Sequence, residues 1–201
     1  AIGHGIIAVS GVEETAVSTG FEPKGTGIAY SRNGGESWTY LSQPVDPIPD
    51  ESANGYQTIF WGEQEVSALS VTTDIDNVSY DVAVGNQYIY TANWAGGIRR
   101  YIHLPTESND TKTWELIPLP RDNDLDLYCG NIDVEDYQIN PKDPGDGGNH
   151  NHKGFGVYVL EDTLWAGTAA GINKGIISGD CINWVRHYQS GLDNISGNWV
   201  I

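Results

Sequence analysis

Apolar residues in this chain come in short runs or alternate with polar ones, and Gly, Pro, Asn or Asp interrupts every candidate element longer than about eight residues. Helical spacing is almost absent, so the pattern predicts an all-β protein. Runs rich in Val, Ile, Tyr, Thr and Trp place strands at 5–10, 26–31, 38–42, 66–72, 81–84, 88–93, 97–103, 113–117, 156–160, 163–167, 171–176 and 184–188.

The strands recur as a unit. Tyr90-Thr91-Ala92-Asn93-Trp94-Ala95-Gly96-Gly97-Ile98-Arg99-Arg100 aligns with Leu164-Trp165-Ala166-Gly167-Thr168-Ala169-Ala170-Gly171-Ile172-Asn173-Lys174 at an offset of 74 residues, with small residues, Gly-Ile and a basic end coinciding. A third copy is Gly27-Ile28-Ala29-Tyr30-Ser31. After each Gly-Ile strand a polar turn leads to a tryptophan: Trp38, Trp114 and Trp184, separated by 76 and 70 residues. The first turn, Ser31-Arg32-Asn33-Gly34-Gly35-Glu36-Ser37-Trp38, has the spacing SxDxGxTW, with Asn33 in the Asp place and Ser37 in the Thr place. Ser108, Asp110, Thr113 and Trp114 keep part of it at a shortened length, as do Ser178, Asp180 and Trp184. Such a turn works locally: a short polar side chain bonds amides of its own loop, Gly takes a positive φ, and the Trp buries its ring between sheets. None of these residues performs chemistry there.

These turns, with the phrase Leu164-Trp165-Ala166-Gly167-Thr168-Ala169-Ala170-Gly171-Ile172, resemble the Asp-box (BNR-repeat) β-propellers, the sialidase-like superfamily in its bacterial extracellular form. The resemblance covers most of the chain and implies four-stranded antiparallel blades around a channel. It gives about three blades, at 2–47, 78–122 and 154–190, and the first strand of a fourth at 197–201. Propeller blades usually take about 40 to 50 residues, and the surplus falls in two acidic insertions, 43–63 and 120–153. The expected parent is a six- to eight-bladed ring, completed by the rest of a longer chain or by a partner subunit; a compact four-bladed ring is the alternative.

Charge narrows the partners. With 27 acidic and 10 basic side chains the net charge is −17 and the pI about 4.3, which repels a phosphate backbone and an anionic membrane face. Nucleic acid and polybasic membrane docking are therefore excluded, and no run reaches the roughly 18 to 20 apolar residues of a spanning helix. A start at Ala1 with no Met fits removal of a signal peptide or excision from a longer chain, and the resemblance to bacterial extracellular propellers implies a secreted or cell-surface location. Cys129 and Cys181 form one bridge or remain two buried thiols. Sequons stand at Asn77, Asn109 and Asn194.

The candidate chemistry is sparse. Asp143 and Asp146, in the Gly-rich second insertion, offer hard oxygens for Ca²⁺, although the spacing is not that of an EF-hand and a solvated acidic loop accounts for the same residues. No other cofactor is required. His150 and His152 at i and i+2 share a face if they lie on a strand, where they suit Zn²⁺ or Cu²⁺. A sialidase site needs an arginine cluster, and Arg99 and Arg100, adjacent on one strand, point to opposite faces. Trp61 and Trp94 fall outside the repeat and, with Tyr56 and Tyr101, are candidates to stack on sugar rings. No catalytic pair is nominated. The functional expectation is an extracytoplasmic binding or scaffold module for a carbohydrate or protein ligand. The alternatives are a glycoside hydrolase of sialidase or xyloglucanase type, with its catalytic residues mostly outside this segment, and a structural surface subunit that assembles through an open edge strand.

Overall fold

The computed structural model describes residues 1–104, 113–190 and 195–201, which form sixteen strands and three short 3-10 turns. Three antiparallel sheets follow one another along the chain. The first contains β1 (Ile2–Gly3), β2 (Ile6–Val17), β3 (Gly20–Ser31) and β4 (Thr39–Leu41) in that order. β5 (Tyr56–Trp61) and β6 (Gln64–Leu69) intervene. The second sheet contains β7 (Ser79–Val84), β8 (Tyr88–Asn93), β9 (Gly97–Ile102) and β10 (Glu115–Leu116). After β11 (Asp126–Leu127) and β12 (Gln138–Ile139) come β13 (Gly154–Leu160), β14 (Thr163–Thr168), β15 (Gly171–Ser178) and β16 (Cys181–His187), which form the third sheet with β11 added outside β16. No closed barrel or ring is formed among the described residues.

The sequence repeat becomes a repeat of register. Gly27, Gly97 and Gly171 all take positive φ, at 101°, 66° and 130°, a region in which a Cβ is strained. Three residues on, Tyr30, Arg100 and Lys174 face Thr39, Glu115 and Val185 across the sheet. Trp38, Trp114 and Trp184, each one residue earlier, therefore hold the same register position. The second and third sheets also share a bulge: Ser79 and Asp81 face Asn93 and Ala92, as Gly154 and Gly156 face Thr168 and Gly167. The bulged residues, Tyr80 and Phe155, meet ring to ring at 5.6 Å. These strand pairs lie 75 residues apart, whereas the Gly-Ile strands lie 74 apart. The turn Trp94-Ala95-Gly96 is one residue longer than Ala169-Ala170, so an ungapped alignment slips by one across β8 and β14.

The sheets are joined by apolar contact. Ile6, Ala8, Ile28 and Leu41 of the first pack on Val82, Val84 and Ile89 of the second. A larger core unites the second and third sheets and includes Tyr90, Ile98, Leu164, Ile182 and Trp184. Gly175 lets the Trp184 ring lie flat on β15; a Cβ there would sit 2.6 Å from the ring.

Three expectations change. The insertions carry strands that the sequence did not mark: β5 falls within the first and pairs with β6, while β12, from the second, runs parallel to β6 and pairs Gln138 with Ser67. Ile132, Tyr137 and Ile139, spaced among the carboxylates, enter the main core, and their burial outweighs the cost of ordering the loop. The turn before Trp184 is a two-residue hairpin, Gly179-Asp180, closed by Ser178 against Cys181, so Trp184 lies inside β16. Residues 197–201 form no strand; the Val200 amide reaches the Thr168 carbonyl at 3.1 Å, and Trp199 packs on Phe155.

Cys129 and Cys181 are joined by a disulfide across 52 residues, tying the second insertion to the β15–β16 hairpin. Gly62, in the β5–β6 turn, lies against both sulfurs, where a Cβ would come within 3.0 Å.

Candidate functional site

After its last strand, each of the first two sheets continues into a Pro-x-Asp segment that locks onto the sheet that follows. Pro44-Val45-Asp46 and Pro120-Arg121-Asp122 stand 76 residues apart, the same offset as Trp38 and Trp114. The Asn77 Nδ2 donates to the Pro44 carbonyl at 2.9 Å, and the Asn151 Nδ2 donates to the Pro120 carbonyl. Both asparagines are fully buried. The Asp46 carboxylate accepts the Val71 amide, and that of Asp122 accepts the His150 and Asn151 amides. This second repeated signature escaped the sequence reading, which followed the aromatic and glycine positions; the shared 76-residue offset was the signal that could have found it.

At the first junction the lock encloses a charge. Arg99, on β9, makes two hydrogen bonds of 2.7 and 2.8 Å to Asp46, with side-chain exposures of 2% and 7%. Burial alone would raise the Asp46 carboxyl; the Arg99 hydrogen bonds and charge, with the Val71 amide, overcome it and hold the group below the usual carboxylate range. Gln43 completes the seam: it accepts from the Gly27 amide and donates to Ser79 Oγ and Asn93 Oδ1, joining the first and second sheets.

Above this seam lies a cleft of about 700 Å³ between β4, β5 and β10. Tyr40, Phe60, Tyr101 and Trp114 line it, with Gln57, Ser42 and Thr113 as polar neighbours. Tyr40 is 67% exposed, with its hydroxyl bonded to the Thr26 carbonyl, and Phe60 is 71% exposed. Trp114 donates from Nε1 to the Ser42 carbonyl at 3.1 Å and meets Tyr101 at 5.4 Å. A second hollow of about 490 Å³ continues from it along Tyr40, Ser42, Gln43 and Val45.

The residues singled out from sequence fall into different places. In the first turn, Ser31 Oγ accepts the Asn33 and Gly35 amides, Asn33 Oδ1 accepts the Ser37 amide, and Asn33 Nδ2 donates to Ser37 Oγ. This is the local bonding expected of such a loop, but the Trp38 ring is 47% exposed and bonds the Gly35 carbonyl instead of entering a core. Ser108 and Asp110 lie outside the described residues. Trp184 is fully buried. Trp61 is 2% exposed beneath Arg100, whose guanidinium lies 5.0 Å from its ring, so it offers no face to a ligand. Trp94 is half-buried against Phe155 at 5.1 Å and Lys153 at 4.9 Å. Tyr56 bonds Asn140, while Tyr101 alone of the four proposed stackers lines the cleft.

The arginines diverge as the strand geometry requires: Arg99 goes to Asp46 and Arg100 to Glu115 at 2.7 Å. Asp143 pairs with Lys153, which holds its carboxyl below the usual range, and His150 lies 3.3 Å away. Among the described residues no three His, Cys, Asp or Glu side chains converge as a metal group. His150 and His152 sit in a 3-10 turn, not on a strand, and do not share a face. His152 is buried; its Nδ1 accepts the Asn140 amide, its Nε2 faces the Leu119 carbonyl, and burial lowers its pKa. Asn77 is sealed in the first junction, which denies its sequon to a glycan, and the other two acceptor asparagines lie outside the described residues.

No protein-family model, no curated protein and no solved structure matches the chain.

Proposed function

We propose that the chain is a segment of a β-propeller acting as an extracytoplasmic binding or scaffold module, with no bond-making chemistry of its own in this segment. The observation that carries this reading is the register shared by the three sheets: the same positive-φ glycine, the same tryptophan position and, in two of them, the same bulge. Successive sheets leaning on one another through β2, β7 and β13 support it, as does the amide bonding of the Ser31–Trp38 turn. The disulfide favours an oxidising compartment. In the cleft, Asp46 is committed to Arg99 and Glu115 to Arg100, so the described acids there do not supply the pair of working carboxylates that glycoside hydrolysis demands.

The test is turnover. The full chain, incubated with uncharged, uronate-containing and sialylated polysaccharides across the acidic and neutral range, is expected to release no reducing ends above the blank. Turnover that follows the chain through repurification would overturn the non-catalytic reading.

A second reading, a structural subunit, is favoured by the exposed rings of Tyr80 and Trp199, which both pack on Phe155. Sedimentation showing an oligomer that Trp199→Ser dissolves would raise it above the first.

A further inference from the structure

We infer that the groove running from the β4–β5–β10 cleft into the adjoining hollow binds an extended, uncharged carbohydrate chain; this rests on the binding-module reading and assigns its site and ligand class. Two of the rings in this groove are fixed by their polar ends. Tyr40 is anchored through its hydroxyl to Thr26, and Trp114 through its indole N–H to Ser42. A ring fixed in this way offers a face to a ligand while losing little further rotamer freedom. Tyr40 and Phe60 are the most exposed aromatic faces here, and the apolar C–H face of a sugar ring suits them.

Polar groups stand between the rings. Ser42 and Thr113 line the cleft beside the rings, while the Gln57 amide turns to the Asp46 carboxylate; a sugar hydroxyl is both donor and acceptor and suits such polar neighbours. The hollows share Tyr40, Ser42, Gln43 and Val45, and their volumes of about 700 and 490 Å³ exceed what a single sugar ring fills.

Charge selects the class. Among the described lining residues the cations are Arg99 and Lys24, and both are already paired: Arg99 with Asp46, and Lys24 with Glu13 at 3.2 Å and Asp74 at 3.7 Å. A uronate or sialate carboxylate meets no unpaired cation there, and it approaches a protein of net charge −17.

The experiment is affinity electrophoresis of the full chain in gels holding a soluble β-glucan, a mannan or a xylan, with polygalacturonate and a sialylated glycan as acidic counterparts. Retardation by at least one uncharged polymer is expected. Tyr40→Ala with Phe60→Ala should weaken that affinity about tenfold, whereas Phe21→Ala, an exposed ring on the β2–β3 arm, should leave it unchanged. Retardation by acidic polymers alone, binding that survives the double substitution, or no retardation by any uncharged polymer would each overturn the inference. The first two of these outcomes leave the binding-module reading standing, and hydrolysis of the polymer in the gel would overturn that reading instead. Unchanged thermal melting of the variants shows that the substitutions act on the groove and not on folding.

Discussion

The two junctions between sheets are built on the same Pro-x-Asp frame and filled differently. At the first, Asp46 takes a buried guanidinium and the space outside is a cleft walled by aromatic rings. At the second, Asp122 takes two backbone amides, Leu119 stands where Gln43 stands in the first, and buried Tyr137 and His152 both reach the Leu119 carbonyl. Arg186, on β16, bonds the Arg121, Asp122 and Asp124 carbonyls, so its charge is met by backbone dipoles and not by a dedicated carboxylate. A repeated frame holds the sheets together; the filling decides whether a junction is closed core or an open cleft.

The largest expected effect tests the charged junction. Asp46→Ala leaves the Arg99 guanidinium buried and unpaired, a loss of about 3 to 5 kcal/mol, or a fall in Tm on the order of 10 °C for a chain of this size. Asp122→Ala removes an acceptor from two amides and should cost less, about 1 to 3 kcal/mol. Thermal melting of the two variants side by side checks the order; an equal or greater loss in Asp122→Ala breaks the contrast.

A smaller effect belongs to the filled junction. His152 is buried neutral with its pKa lowered, so between its unfolded value near 6.5 and its lower folded value the unfolded chain binds the extra proton. Stability is complete above that window and falls as pH drops through it. The Tm should decline on acidification from neutral, and His152→Gln should flatten that part of the profile. Asp46 acts in the same direction at lower pH: its lowered pKa gives stability that is present above the usual carboxylate range and is lost as pH falls through the folded value.

What could be read from the sequence was periodic and local. Gly27, Gly97 and Gly171 were visible because the positive φ at that place favours glycine, and the tryptophans because few residues are so large and so rare. The amide bonds of the Ser31–Trp38 turn follow from residue type at short range. The burial of a given Trp did not, because it depends on what the distant chain lays over it: Trp38 stays open at a sheet edge, while Trp61, which no repeat marked, is enclosed under Arg100. The buried positions inside the insertions are hidden for the same reason. Their acids dominate the composition, but Ile132, Tyr137 and Ile139 find their partners in β6 and the second sheet, across many residues of chain. Tyr40 and Phe60 carried no motif; only the fold brings them to one groove.

The contrast between an open and a filled junction is tested most directly by hydrogen exchange of the intact chain, read by peptide. The segment 40–47, under the open cleft, and 116–123, in the filled junction, are equivalent in the repeat, so their exchange rates can be compared directly. The account predicts that 40–47 exchanges faster than 116–123, while β8 and β14, hydrogen-bonded on both sides, exchange slowest among the described strands. Equal protection of the two junction segments, or faster exchange at 116–123, would contradict it.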